Sequence, residues 1–186
     1  MFRRTLLAML GLALLTACTL SQLFPPPLAT ETAGPVQFYL IIPEDGGANG
    51  QPVGCGDSII AVDGQTARTG NLTDDVRASL GELLSLTSPD YGQSGFVTSL
   101  HDSTLTVADV RLEGDTLYVE FDGSLQLLGV CADARMRAQL LATIFQYEGF
   151  DEAMITVSGD NLKQLFDASG MVGPDETFTR DEAQRL

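Results

Sequence analysis

The first eighteen residues decide what the rest of the chain can become. Met1-Phe2-Arg3-Arg4 is a short basic start, Thr5 to Leu14 is an apolar run, and Thr16 and Ala17 put small residues ahead of Cys18. A short apolar run with a basic front and small residues behind has the build of an export signal. A membrane-spanning helix needs about 20 consecutive apolar residues, and here Ser21, Gln22 and a run of prolines arrive too soon. Residues 1–17 are therefore expected to be removed, leaving the fold to the chain from Cys18 onward. That remainder is expected to fold outside the cytoplasm, where thiols oxidise and pair.

Leu15-Thr16-Ala17-Cys18 resembles the bacterial lipobox. In that motif the cysteine thiol is the nucleophile that takes diacylglycerol, and small residues before it let the peptidase reach the backbone. An ordinary secretory signal followed by a coincidental cysteine is the competing reading. Each buried methylene adds about 0.8 kcal/mol, and two or three acyl chains hold a protein where one does not. Cys18 is thus the expected lipidation site. The chain is expected to be exported and lipid-anchored to the bacterial cell membrane, with its domain on the extracytoplasmic side.

Residues 18–35 carry the lipidated Cys and a Pro-rich spacer, in which Pro25-Pro26-Pro27 favours extended polyproline II. Residues 170–186 are polar and acidic and are expected to be a disordered tail. Between them, residues 36–169 show readable periods. Val36 to Ile42 is a strand ended by Pro43, and Asp57 to Asp63 is a second strand. Thr73 is expected to cap a helix whose Val76, Leu80, Leu83 and Leu84 recur at helical spacing, with Ser88-Pro89 stopping it. Leu105 to Leu112 and Thr116 to Asp122 flank a turn at Gly114, and a phase slip in the first predicts a bulge near Ala108-Asp109. A second helix covers Ala132 to Glu148, a last strand Ala153 to Val157, and a short helix Leu162 to Phe166. These pieces imply an α+β fold in two layers, with two main helices packed on one face of a small mixed β-sheet.

Taken in order, the segment from Gly54 to Gly159 resembles the GerMN domain family of spore-germination lipoproteins. The resemblance rests on Gly54-Cys55-Gly56-Asp57, on Leu80 with Leu83-Leu84 and Ser88-Pro89, and on Ser103 to Phe121 around Gly114. It rests most on Thr143-Ile144-Phe145-Gln146-Tyr147-Glu148-Gly149-Phe150, followed by Ile155 and Val157. His101 and Glu148 stand where the family usually has proline. The resemblance implies an envelope domain with a fold similar to ring-building motifs and without a known catalytic site. It implies another envelope protein, or self-association, as the partner.

The charge excludes one class of partner. The chain has 10 Lys+Arg against 25 Asp+Glu, a net charge of −15, and losing Arg3 and Arg4 with the leader takes it to −17. Such a surface repels phosphate backbones, so nucleic-acid binding is not expected. His101 is the one imidazole and sits beside Ser99 and Asp102. Neighbours along an extended chain point apart, so no nucleophile, base and orienter are expected to meet there, and the chain is not expected to be an enzyme. Acids are plentiful, but none falls at calcium-loop spacing, so no metal or other cofactor is expected. Asn71-Leu72-Thr73 matches a glycosylation sequon, read here as chance.

Two cysteines remain once Cys18 is committed to lipid. Cys55, between Gly54 and Gly56, precedes the second strand, and Cys131, after Gly129, sits where the second helix should begin. In an oxidising compartment they are expected to form a disulfide pinning helix to sheet, the alternative being two buried free thiols. For function, a tethered interaction domain stands against an extracytoplasmic lipoprotein that captures a small solute or cation. A free sheet edge or apolar patch would favour the first, and an apolar pocket with convergent polar groups the second.

Overall fold

The computed structural model describes residues 34–186. The leader, Cys18 and the Pro-rich part of the spacer lie outside the described residues. β-branched and aromatic residues form β1 (Pro35–Ile42), whose Val36, Phe38 and Leu40 point to the core. A loop leads to β2 (Gln51–Val53), a single 3₁₀ turn at Gly54–Gly56, and β3 (Asp57–Ala67). β3 is the central strand of this sheet, with β1 and β2 antiparallel on its two sides. Gly50 is required where the loop crosses β3, because a Cβ there would lie 2.5 Å from the Ile59 carbonyl oxygen.

Helix α1 (Leu72–Leu84) buries Val76, Leu80 and Leu83 completely. Its cap is Asn71, not Thr73: the Asn71 side chain accepts from the Asp74 N–H, and the Thr73 hydroxyl donates to Asn71 Oδ1 at 2.9 Å. The helix begins earlier than expected because Asn71 is as good a cap as Thr and stands first. The hairpin of β4 (Thr106–Glu113) and β5 (Thr116–Asp122) turns at Gly114, and its register shifts between Val107 and Asp109, where the bulge was predicted. Helix α2 (Val130–Phe145) then carries the chain back, so β6 (Glu152–Val157) runs parallel to β5. Two short strands, β7 (Asp160–Asn161) and β8 (Phe178–Thr179), add antiparallel to β6, and α3 (Leu162–Leu165) and α4 (Arg180–Gln184) complete the chain.

The fold is α+β. Leu117, Val119 and Phe121 of β5 and Ala153, Ile155 and Val157 of β6 form one buried face of the mixed sheet, and both main helices share its hydrophobic core. The strands divide between two sheets, β1-β3-β2 and β4-β5-β6-β7, where a single sheet was expected. Strand periodicity names buried faces but not partners, which is why the division was not legible.

The carboxy-terminal segment corrects a further expectation, since residues 170–186 are not a disordered tail. Phe178 is buried on β6, and α4 opens with a capping box between Thr179 and Glu182. Arg180 donates to the carbonyls of Phe145, Tyr147 and Phe150 at 2.7–2.8 Å, taking up oxygens at and beyond the end of α2. Asn161 donates to the carbonyls of Pro174 and Glu176, and Lys163 to that of Thr177. The segment is held by polar groups meeting specific carbonyls, and such bonds leave no hydrophobic period to read. Among the described residues no helix is long and apolar enough to cross a membrane.

Candidate docking site

Each sheet has edges, and the fold treats them differently. β1 is an edge strand, yet its outward groups at Tyr39 and Ile41 and the Gln37 carbonyl are taken. On α2, Gln139, Thr143 and Gln146 recur at i, i+4 and i+7 and so share one face. Thr143 Oγ1 accepts from the Tyr39 N–H at 3.1 Å, Gln139 Nε2 donates to the Tyr39 carbonyl at 3.1 Å, and Gln146 Nε2 donates to the Gln37 carbonyl at 2.7 Å. Further along, Ile41 and Val97 exchange two backbone bonds at 2.9 and 3.0 Å. Thr143 and Gln146 of the Thr143–Phe150 motif therefore help seal a strand edge. Gln139 and Thr143, both fully buried, carried a signal that the apolar reading of α2 passed over: amide and hydroxyl groups on a face meant for the core.

The start of α2 is fastened to the first sheet twice. Cys55 and Cys131 form a disulfide, with Cα atoms 5.7 Å apart, and Cys55 lies in the left-handed region at φ 66°. Both cysteines are exposed, so the bond clamps two surface elements and fills no core. One turn further into α2, Arg135 meets the fully buried Asp57 carboxylate with two bonds, at 2.6 and 3.0 Å. Burial pushes the Asp57 carboxyl up, but the Arg135 guanidinium and the Glu44 N–H outweigh it and hold it below the usual carboxylate range.

β4 is the contrasting edge. It ends the second sheet, with β5 on one side and no strand on the other among the described residues. Glu113 and Thr116 close a two-residue turn, so the ladder bonds fall on Arg111–Tyr118 and Asp109–Glu120, and Val110 and Leu112 turn their backbone groups outward. Arg77 donates across this edge at 3.3 Å to the Ala108 carbonyl and to Asp109, whose carboxylate also faces the Val110 N–H. Leu112 is 41% exposed. Beside the first half of β4, α1 stands off and leaves an apolar groove of about 360 Å³ over Gly81, Leu84, Leu105 and Val107. A Cβ on Gly81 would meet nothing within 4 Å, so this helical glycine keeps the groove open.

The outer face of the hairpin is acidic. Arg111 is held by Asp109, Glu113 and Glu120 and lies 4.7 Å from the centre of the Tyr118 ring. Those carboxylates raise the Arg111 pKa, and the Asp109 carboxyl falls below its ordinary value, chiefly through Arg111. A shallow hollow of about 460 Å³ lies on this face between Arg111, Tyr118, Met154 and the Pro174–Thr177 segment. Its guanidinium is already engaged by three carboxylates, so it offers an anionic solute no free cation.

His101 is placed differently from the expectation. Residues 101–102 form a turn, so neighbours meet: His101 Nε2 lies 3.2 Å from Asp102 Oδ2, and Nδ1 lies 3.0 Å from the Thr98 carbonyl. Ser99 is tied elsewhere, its N–H donating to Gln139 Oε1. Among the described residues no three His, Cys, Asp or Glu side chains are grouped to hold a metal ion.

A mixed α+β domain, clamped by a surface disulfide and with one strand edge sealed and another open, is the class of structure these observations define. By sequence the chain belongs to the Germane family, described as sporulation and spore germination, whose model matches residues 43–163. That is the family the Gly54–Gly159 motifs pointed to. The solved tandem GerMN domains of the sporulation protein GerM from Bacillus subtilis are similar at 13% identity and a TM-score of 0.49. That match covers 80% of this chain and 45% of the other. No curated protein matches the sequence.

Proposed function

We propose that this chain is a membrane-tethered envelope lipoprotein whose domain is a non-catalytic docking module for another envelope protein. Diacylglyceryl-Cys18 is the anchor, residues 18–35 the spacer, and the extracytoplasmic side the workplace. The observation that carries the reading is the asymmetry of the edges: α2 spends three polar side chains sealing β1, while β4 is left with outward backbone groups and an apolar groove beside it. Folds blunt free strand edges with bulges and charges, and β4 has both at residues 108–113. These guard it against indiscriminate pairing and leave it to a partner that matches its charges and the groove beside it. The family's description makes sporulation and spore germination the candidate processes.

Two measurements test this. Cys18→Ser should release the protein from the membrane fraction or leave the leader uncleaved; normal sedimentation with a normally removed leader would sink the anchor. Cross-linking of the full chain in native membranes, followed by mass spectrometry, should give one reproducible heterologous partner with links near β4. Links confined to copies of this chain would contradict the heterologous reading.

A further inference from the structure

The open edge also indicates what kind of chain fits it. Three features converge on β4. Its outward Leu112 N–H and C=O and its Val110 C=O can be satisfied by a further strand, which is the bonding pattern of β-augmentation, while the Val110 N–H faces the Asp109 carboxylate. Side chains of an added strand alternate between faces. On the inner side they would meet the groove over Gly81, Leu84, Leu105 and Val107. On the outer side they would meet Asp109, Glu113 and Glu120, three carboxylates that outnumber the guanidiniums of Arg111 and Arg77.

We propose that β4 is completed by an extended, net-basic strand of a partner polypeptide, which places Lys or Arg over Asp109 and Glu113 and one apolar side chain in the groove beside Gly81. This deepens the docking reading and rests on it. Charge decides between occupants. A second copy of this chain would bring the same acid excess, −17 without the leader, to the same edge. A basic strand instead meets unlike charge at close range, which speeds encounter and fixes register. Arg77 marks the crossing point: its bonds to the Ala108 carbonyl and Asp109, both 3.3 Å, are long enough to yield to an incoming strand.

The test uses the full chain and three synthetic octapeptides. The first alternates lysine and valine, the second alternates glutamate and valine, and the third repeats the first with alternate backbone amides N-methylated. Amide hydrogen exchange is followed residue by residue. The lysine peptide should slow exchange at Leu112 at least tenfold, while the glutamate and N-methylated peptides should leave it unchanged. Gly81→Leu fills the groove while favouring the helix, and should weaken binding of the lysine peptide at least tenfold. Equal binding of the methylated peptide would show charge attraction without strand addition and overturn the proposal. So would undiminished binding by Gly81→Leu, or protection confined to another edge. The broader docking reading fails separately, if cross-linking in membranes finds no heterologous partner at all.

Discussion

Reducing or removing the Cys55–Cys131 bond should destabilise the domain strongly while leaving its native structure in place. The cysteines are 76 residues apart in sequence. Chain-entropy reasoning gives about 4.5 kcal/mol for releasing a loop of that length, most of it through the unfolded state. With a urea m-value of about 2 kcal/mol/M, the midpoint should fall by about 2 M in the Cys55→Ser/Cys131→Ser protein. Native structure should persist because Arg135 still holds buried Asp57 one turn away. Removing that guanidinium strands a buried carboxylate and should cost about 3 kcal/mol on its own. One change acts on the unfolded chain and the other on the folded one, so the two costs should add. Urea melts of the four proteins of this cycle, followed by near-UV circular dichroism, provide the numbers. A midpoint shift below about 0.5 M, or a coupling energy above about 1 kcal/mol, would refute this division of labour.

Three further outcomes are expected from the same contacts. The Asp57, Glu82 and Glu182 carboxyls sit below their ordinary values: burial raises each, and Arg135, the Thr66 and Gln65 groups, and Lys163 with Thr179 respectively outweigh it. Their stabilisation is therefore complete above the unfolded values near about pH 4 and is lost as pH falls through the lower folded values; urea midpoints should drop below about pH 4, and Asp57→Asn should flatten part of that drop. Thr143→Val keeps shape but leaves the Tyr39 N–H without its acceptor, and should cost about 1–3 kcal/mol in a denaturant melt; no loss would mean the β1 edge is not sealed as described. Arg180→Ala frees the carbonyls of Phe145, Tyr147 and Phe150, so exchange across 178–184 should accelerate and stability fall by about 2 kcal/mol, unlike the outcome for a loose tail.

What the sequence made legible was whatever repeats. The helical spacing of Val76, Leu80 and Leu83, the alternation of Leu117, Val119 and Phe121, and the phase slip at Ala108 all correspond to observed elements. The pairing of Cys55 with Cys131 came from counting thiols against an expected export signal. Bonds between one side chain and one distant backbone group have no period, and these were missed. Gln139 and Gln146 reach β1 about 100 residues away, and Arg180 reaches back to the end of α2. The β4 strand itself was readable, but its place at the end of a sheet was not. Which edge stays open depends on how β6 recruits β7 and β8, two-residue strands too short to carry an alternating pattern.

The docking account is tested most directly by a photo-cross-linking residue introduced at Leu112 of the protein in its native cells. Irradiation there should give one adduct of defined mass, which Gly81→Leu abolishes, and none when the same residue replaces exposed Asp181 on α4. An adduct at Leu112 that survives Gly81→Leu, or adducts formed at Asp181 and not at Leu112, would contradict the claim that this domain works through its open β4 edge.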